Sequence, residues 1–93
     1  MRIAVCENSL AAAQRLQRWI EEYCLLYQIP AQFQHFLAPD AFSAWEGRFD
    51  LVFLGFGGST GFLQARSLRE RDRSCKIVLV DDTQQYAVQG VRI

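Results

Sequence analysis

FDLVFLGF, residues 49–56, is apolar throughout except for Asp50 near its start and Gly55 near its end. An unbroken apolar run of this length, bounded by glycines, is the pattern of a strand buried on both faces. MRIAVC (1–6) and KIVLV (76–80) are two further short runs rich in β-branched and aliphatic residues, and helix-like segments separate the three. Strands that alternate with helices make an α/β domain: a parallel sheet covered on both sides. In such sheets ligands and chemistry gather at the carboxyl ends of the strands. Here those ends are Cys6-Glu7-Asn8, Gly55-Phe56-Gly57 and Val80-Asp81-Asp82.

The chain has 93 residues, 51% of them hydrophobic, which suits one domain near the lower end of the usual size range, spanning 1–93 with no second domain. Ten basic residues balance ten acidic ones. Nothing in that balance favours nucleic acid, an anionic membrane or an acidic partner. No stretch reaches the ~20 apolar residues of a membrane span, and the N-terminus runs straight into a strand, so a cytoplasmic location is expected. No internal repeat, low-complexity segment or linker divides the chain.

Cys6, Cys24 and Cys75 are odd in number, lack metal-ligand spacing and sit among apolar residues. They read as small buried hydrophobes in a reducing compartment. His35 is the only histidine, placed on the second strand with no nucleophile for it to activate.

After the first strand, Asn8 or Ser9 can cap a helix whose expected buried side is Leu10, Ala13, Leu16, Trp19, Ile20, Tyr23, Leu26 and Tyr27. Arg15, Gln17, Arg18, Glu21 and Glu22 fall mainly on the opposite side. Ile29-Pro30 stops this helix. A short strand over 31–36 follows, then a helix opened by Pro39 and ended by Gly47. GGSTG (57–61) reads as a flexible turn before a helix running from Phe62 to about Arg71. Glycines ahead of a helix could cradle a phosphate on free backbone amides, making Gly57, Gly58, Ser59 and Thr60 a candidate anion-binding loop. The Walker pattern, however, needs a lysine and a longer loop, and the dinucleotide fingerprint belongs after the first strand. The last segment, YAVQGVRI (86–93), is expected to begin a final helix.

This succession resembles the receiver domain of bacterial response regulators. MRIAVCEN (1–8) is similar to the MRIAICDD opening of receivers that precede LytTR-type DNA-binding domains. FDLVFLG (49–55) resembles their YDLIFLD, GFLQARSLRERDRSCKIVLV (61–80) tracks their next helix and fourth strand, and YAVQG (86–90) resembles their tyrosine-led fourth helix. The resemblance implies a three-layer, flavodoxin-like fold with parallel strand order 2-1-3-4, the family's fifth strand and fifth helix being missing from this chain. It also implies phosphorelay chemistry. A carboxylate ending the third strand accepts a phosphoryl group, while two acids after the first strand hold magnesium.

Carried over residue by residue, the resemblance leaves that site degenerate. Glu7 and Asn8 stand at the paired acids, Gly55 at the acceptor, and Asp81 at a hydroxyl position where its charge would repel a phosphoryl group. Asp50 cannot substitute as acceptor, since strand rise places it roughly 16 Å from Gly55, at the other end of the sheet. The expectation is therefore a non-catalytic pseudo-receiver from a LytTR-like regulator, neither an enzyme nor a nucleic-acid binder itself. It is expected to need no cofactor, and DNA recognition falls to a LytTR domain outside this chain. It would act by protein contact, as a homodimer through the fourth strand and final helix if the fourth strand is an open edge. Two other readings remain. One is a receiver phosphorylated at a rearranged site, with Glu7 and Asp81 as candidate magnesium ligands; the other is a small-ligand or anion binder at the glycine loop.

Overall fold

The computed structural model of the chain describes residues 1–80 and the backbone of 89–91. The elements run β1 (Arg2–Glu7), α1 (Leu10–Leu26), β2 (Gln32–Phe36), α2 (Pro39–Ser43), β3 (Leu51–Gly55), α3 (Gly58–Arg71), β4 (Lys76–Leu79) and β5 (Gln89–Val91). They form a sheet of order β2-β1-β3-β4-β5. Its first four strands are parallel, in the expected order 2-1-3-4. The fifth pairs antiparallel with β4, setting Ile77 against Val91 and Leu79 against Gln89. The helix expected over 86–93 is thus corrected: Gln89–Val91 is strand, while 86–88 and 92–93 lie outside the described residues. β5 also supplies β4 with a pairing partner, so over these residues β4 is not the open edge that the expected strand-to-strand dimer required.

Paired positions in a parallel sheet point to the same face, and the register sorts the side chains into two cores. Ile3 and Val5 meet Ala13, Ile20 and Cys24 of α1, with Leu51 and Phe53 packed at the margin. On the other face Ala4, Cys6, Val52, Leu54 and Ile77 meet Phe42 of α2 and Ala65 and Leu68 of α3. Three layers follow. Phe36, Phe42, Trp45 and Phe49 pack at the second face through edge-on contacts of 5.2 to 5.8 Å around Phe36, with Trp45 stacked near Phe49. The three cysteines are buried and unbridged. Burial pushes the Cys75 thiol up to about 11, helped by the nearby Asp72 charge. Among the described residues no helix is long and apolar enough to cross a membrane.

α1 begins where Ser9 Oγ accepts from Ala12 N at 3.2 Å, and it ends ahead of Pro30. Its expected buried side is realised only in part. Ala13 and Ile20 are buried, joined by Cys24, and Leu16 is partly buried, whereas Leu10, Trp19, Tyr23, Leu26 and Tyr27 are exposed. α1 packs mainly over β1 and β2, with Leu51 and Phe53 of β3 at the margin of its core. The large apolar residues on its flank are turned away from the sheet.

At the far end of α3, Asp72 closes the turn into β4. Its Oδ1 accepts from Ser74 N at 3.0 Å, Ser74 Oγ at 2.9 Å and Cys75 N at 3.2 Å. The Ser74 hydroxyl, then the backbone amides of Ser74 and Cys75, hold this carboxyl below the usual aspartate range, against the opposing effect of burial. Asp72→Ala is expected to cost about 1–2 kcal/mol in urea unfolding at neutral pH. Because the folded-state pKa is lowered, the contribution is complete above the ordinary aspartate value of about 4 and is lost as pH falls through the folded value. The gap between wild type and variant should accordingly close in acid, which parallel urea titrations from neutral pH downward would measure.

Candidate functional site

The carboxyl ends of β1 and β3 lie side by side, with Glu7 in register with Gly55. In-register side chains share a face, and here one of the two residues has no side chain. Glu7 uses the space. A Cβ built on Gly55 would lie 1.9 Å from Glu7 Oε1, 2.5 Å from Glu7 Cδ and 2.8 Å from the Cys6 carbonyl oxygen. The side-chain space at Gly55 is thus occupied by a carboxylate arriving from the neighbouring strand.

Asn8, the next residue, turns its amide across the same gap, where Nδ2 donates to the Phe56 carbonyl at 3.2 Å. That bond ties the loops after β1 and β3 together at the sheet's carboxyl edge. Cys6, one residue back, faces the opposite core; burial raises its thiol pKa, and the Glu7 charge raises it further.

The glycine segment is not the loop expected. Helix α3 starts at Gly58, so Ser59, Thr60 and Gly61 belong to its opening turns, with Gly61 N donating to Gly57 O at 3.1 Å. Gly57 caps the helix at φ 81°, a backbone region that side chains disfavour, and no side chain caps this terminus. Ser59 and Thr60 are exposed. Gly57, Gly58, Ser59 and Thr60 are thus helix cap and first turn immediately after β3.

Asp81, the remaining position of the expected site, lies outside the described residues, as does Asp82. Among the described residues no group of three or more His, Cys, Asp or Glu side chains could hold a metal ion. Glu7 is the one candidate ligand of the pair that the structure describes, and its carboxylate is directed over Gly55.

Asp50 sits at the opposite edge. Its Oδ2 accepts from Arg2 N at 2.7 Å, its N–H donates to Arg2 O and its carbonyl accepts from Lys76 N, which clips the amino ends of β1, β3 and β4 together. His35 shares a hydrogen bond with Gln17 of α1 and joins no catalytic group. A cavity of about 170 Å³ near Phe42, Trp45, Phe49 and Arg71 lies at Asp50's end of the sheet, away from Gly55.

Sequence reasoning located Glu7 and Gly55 but missed their contact. The only signal available beforehand was the pairing of a long acid with a glycine at two neighbouring strand ends.

No family model matches the chain, and no curated protein matches it. Among solved structures it is similar to response regulator protein TrrA from Thermotoga maritima, determined in complex with Mg(2+)-BeF. The TM-score is 0.71 at 21% identity, over 91% of this chain and 72% of that one. The likeness establishes a shared fold, that of a response-regulator receiver.

Gly55→Ala is expected to cost about 1–3 kcal/mol in chemical denaturation, because Glu7 and the Cys6 carbonyl must both give way. Adding Glu7→Ala should recover part of that loss, since the two nearest atoms belong to Glu7. A Gly55→Ala protein as stable as wild type would contradict the placement of Glu7.

Proposed function

We propose that this chain is a pseudo-receiver, a non-catalytic signalling domain of a LytTR-like regulator that works by protein contact without phosphorylation at the family's usual position. The observation carrying this reading is the Glu7 carboxylate filling the side-chain space of Gly55. Phosphoryl transfer to a receiver needs an acceptor oxygen at that point and a field that tolerates incoming negative charge. Here the acceptor side chain is absent and a fixed acid stands in its place. Such a charge repels the phosphoryl group that it would have to admit.

A receiver signals because binding of phosphoryl oxygens biases a two-state surface. With the site filled from within, the domain holds one arrangement of its carboxyl edge, further fixed by the Asn8 bond to Phe56. Output then depends on what the surface binds, and self-association is the simplest such output. DNA recognition is assigned to a separate LytTR-type domain, and the location is the cytoplasm.

Incubation with a small phosphodonor and magnesium, followed by intact-mass measurement, tests the proposal. No gain of a phosphoryl group is expected. A labile phosphoryl adduct would refute it, and loss of that adduct in Glu7→Gln would instead assign phosphorylation to a rearranged site at Glu7.

A further inference from the structure

The cavity at Asp50's end of the sheet joins apolar walls to cations. Phe42, Phe49 and Leu68 are buried in it and Trp45 is half-buried, while Arg48 and Arg71 stand exposed at its rim. Its volume of about 170 Å³ is enough for one six-membered ring, since an apolar cavity of about 150 Å³ admits benzene. Its walls come from residues 42–49 and 68–72, all of them described. Val80 and Gln89, the described neighbours of 81–88, lie at the sheet's opposite end, and Val91 is on β5, beyond β4.

The charges around the cavity do not cancel. Arg71 Nη1 donates to the Trp45 carbonyl at 3.3 Å, and its Cζ stands 5.9 Å from the centre of the Phe42 ring. Arg2 stands over Phe49 at 5.3 Å, a third guanidinium beside the same wall. Of the two acids in the wall, Asp72 is turned into its own turn, where Oδ1 accepts from Ser74 N, Ser74 Oγ and Cys75 N. Glu46 is exposed. A carboxylate matches the forked donors of arginine, and a ring matches the walls.

The wall also holds a donor that nothing satisfies. Among the described residues Trp45 Nε1 is buried and makes no hydrogen bond, although a buried indole N–H ordinarily finds a partner. Gly47 covers it: a Cβ at that position would lie 2.5 Å from Nε1. Solvent does not reach the N–H in this arrangement, and an acceptor does so only when Gly47 gives way. A glycine shifts with no side chain to displace.

We infer that this cavity is a binding site for a small aromatic carboxylate. The ring lies among Phe42, Phe49 and Leu68, the carboxylate meets Arg48 and Arg71, and the Trp45 N–H becomes a further donor to it as Gly47 moves aside. The site is at the other end of the sheet from Glu7 and Gly55, so it does not rest on the pseudo-receiver reading.

Titration of the 93-residue chain with benzoate, followed by calorimetry and by the indole N–H resonances in nuclear magnetic resonance, tests the inference. Saturable binding with a Kd on the order of 0.1–1 mM is expected. The Trp45 resonance should shift and that of the exposed Trp19 should not, the two being told apart with Trp45→Phe. Benzamide, which keeps the ring without the charge, should bind about tenfold more weakly, and inorganic phosphate, which lacks the ring, should not compete. Arg48→Gln and Arg71→Gln should each weaken benzoate about five- to tenfold. Arg66→Gln, on α3 outside the wall, should leave it unchanged, with circular dichroism reporting the fold of each variant. Absence of saturable binding up to about 10 mM benzoate overturns the inference, whether water or a peptide segment fills the cavity. So does a Trp45 resonance unmoved at saturation, binding that benzamide or phosphate matches, or binding indifferent to both arginine variants. A phosphoryl adduct in the phosphodonor experiment would leave benzoate binding untouched, so the two readings fail separately.

Discussion

The pairing of β1 with β3 is the constraint from which the remainder of the molecule follows. Ile3, Ala4, Val5 and Cys6 have no exposed surface, and they lie in register with Leu51, Val52, Phe53 and Leu54. These two strands are central, with β2 outside one and β4 outside the other. Their side chains contribute to both cores at once, so displacement by one residue would exchange the faces and empty both. Asp50 locks the amino end of this pairing by bonding to both backbone groups of Arg2. The Asn8 amide secures the carboxyl end.

That register also decides the chemistry. It brings Glu7 level with Gly55, and because the side chains of paired residues project to one face, a long acid beside a glycine fills the vacant volume. The missing side chain at Gly55 and the occupation of its space by Glu7 are therefore a single packing arrangement. A side chain placed at position 55 would meet Glu7 Oε1 and the Cys6 carbonyl, so Glu7 would have to move to admit it. The two layers of helix respond differently to the same sheet. α2 and α3 close one face over an aromatic cluster, while α1 is the one helix on the other face among the described residues and keeps a row of large side chains exposed.

Much of the fold was legible because its signals are local. Residues 1–6, 49–56 and 76–80 are apolar runs too short for helices, and Pro30, Pro39 and Gly47 punctuate the segments between them. The opening of α3 was less legible. GGSTG carries turn composition, yet Gly57 at positive φ lets the chain enter a helix at once, so five residues expected as turn became cap and opening helix. Gln89–Val91 was misassigned for a different reason: a three-residue strand has no period of its own and exists through the partner that pairs with it.

By itself, the sequence determined the alternation of strands and helices, the burial of Cys6, Cys24 and Cys75, and the absence of an acid at Gly55. These depend on residue type and near-neighbour spacing, which the order of amino acids states directly. Only the tertiary structure decided that Glu7 occupies the space over Gly55, that α1 buries its small apolar residues and exposes Trp19 and Tyr23, and that β4 gains an antiparallel neighbour. Periodicity marks a helix flank as apolar but cannot say whether a sheet lies beneath it. That depends on where distant segments meet, and those meetings are set by packing.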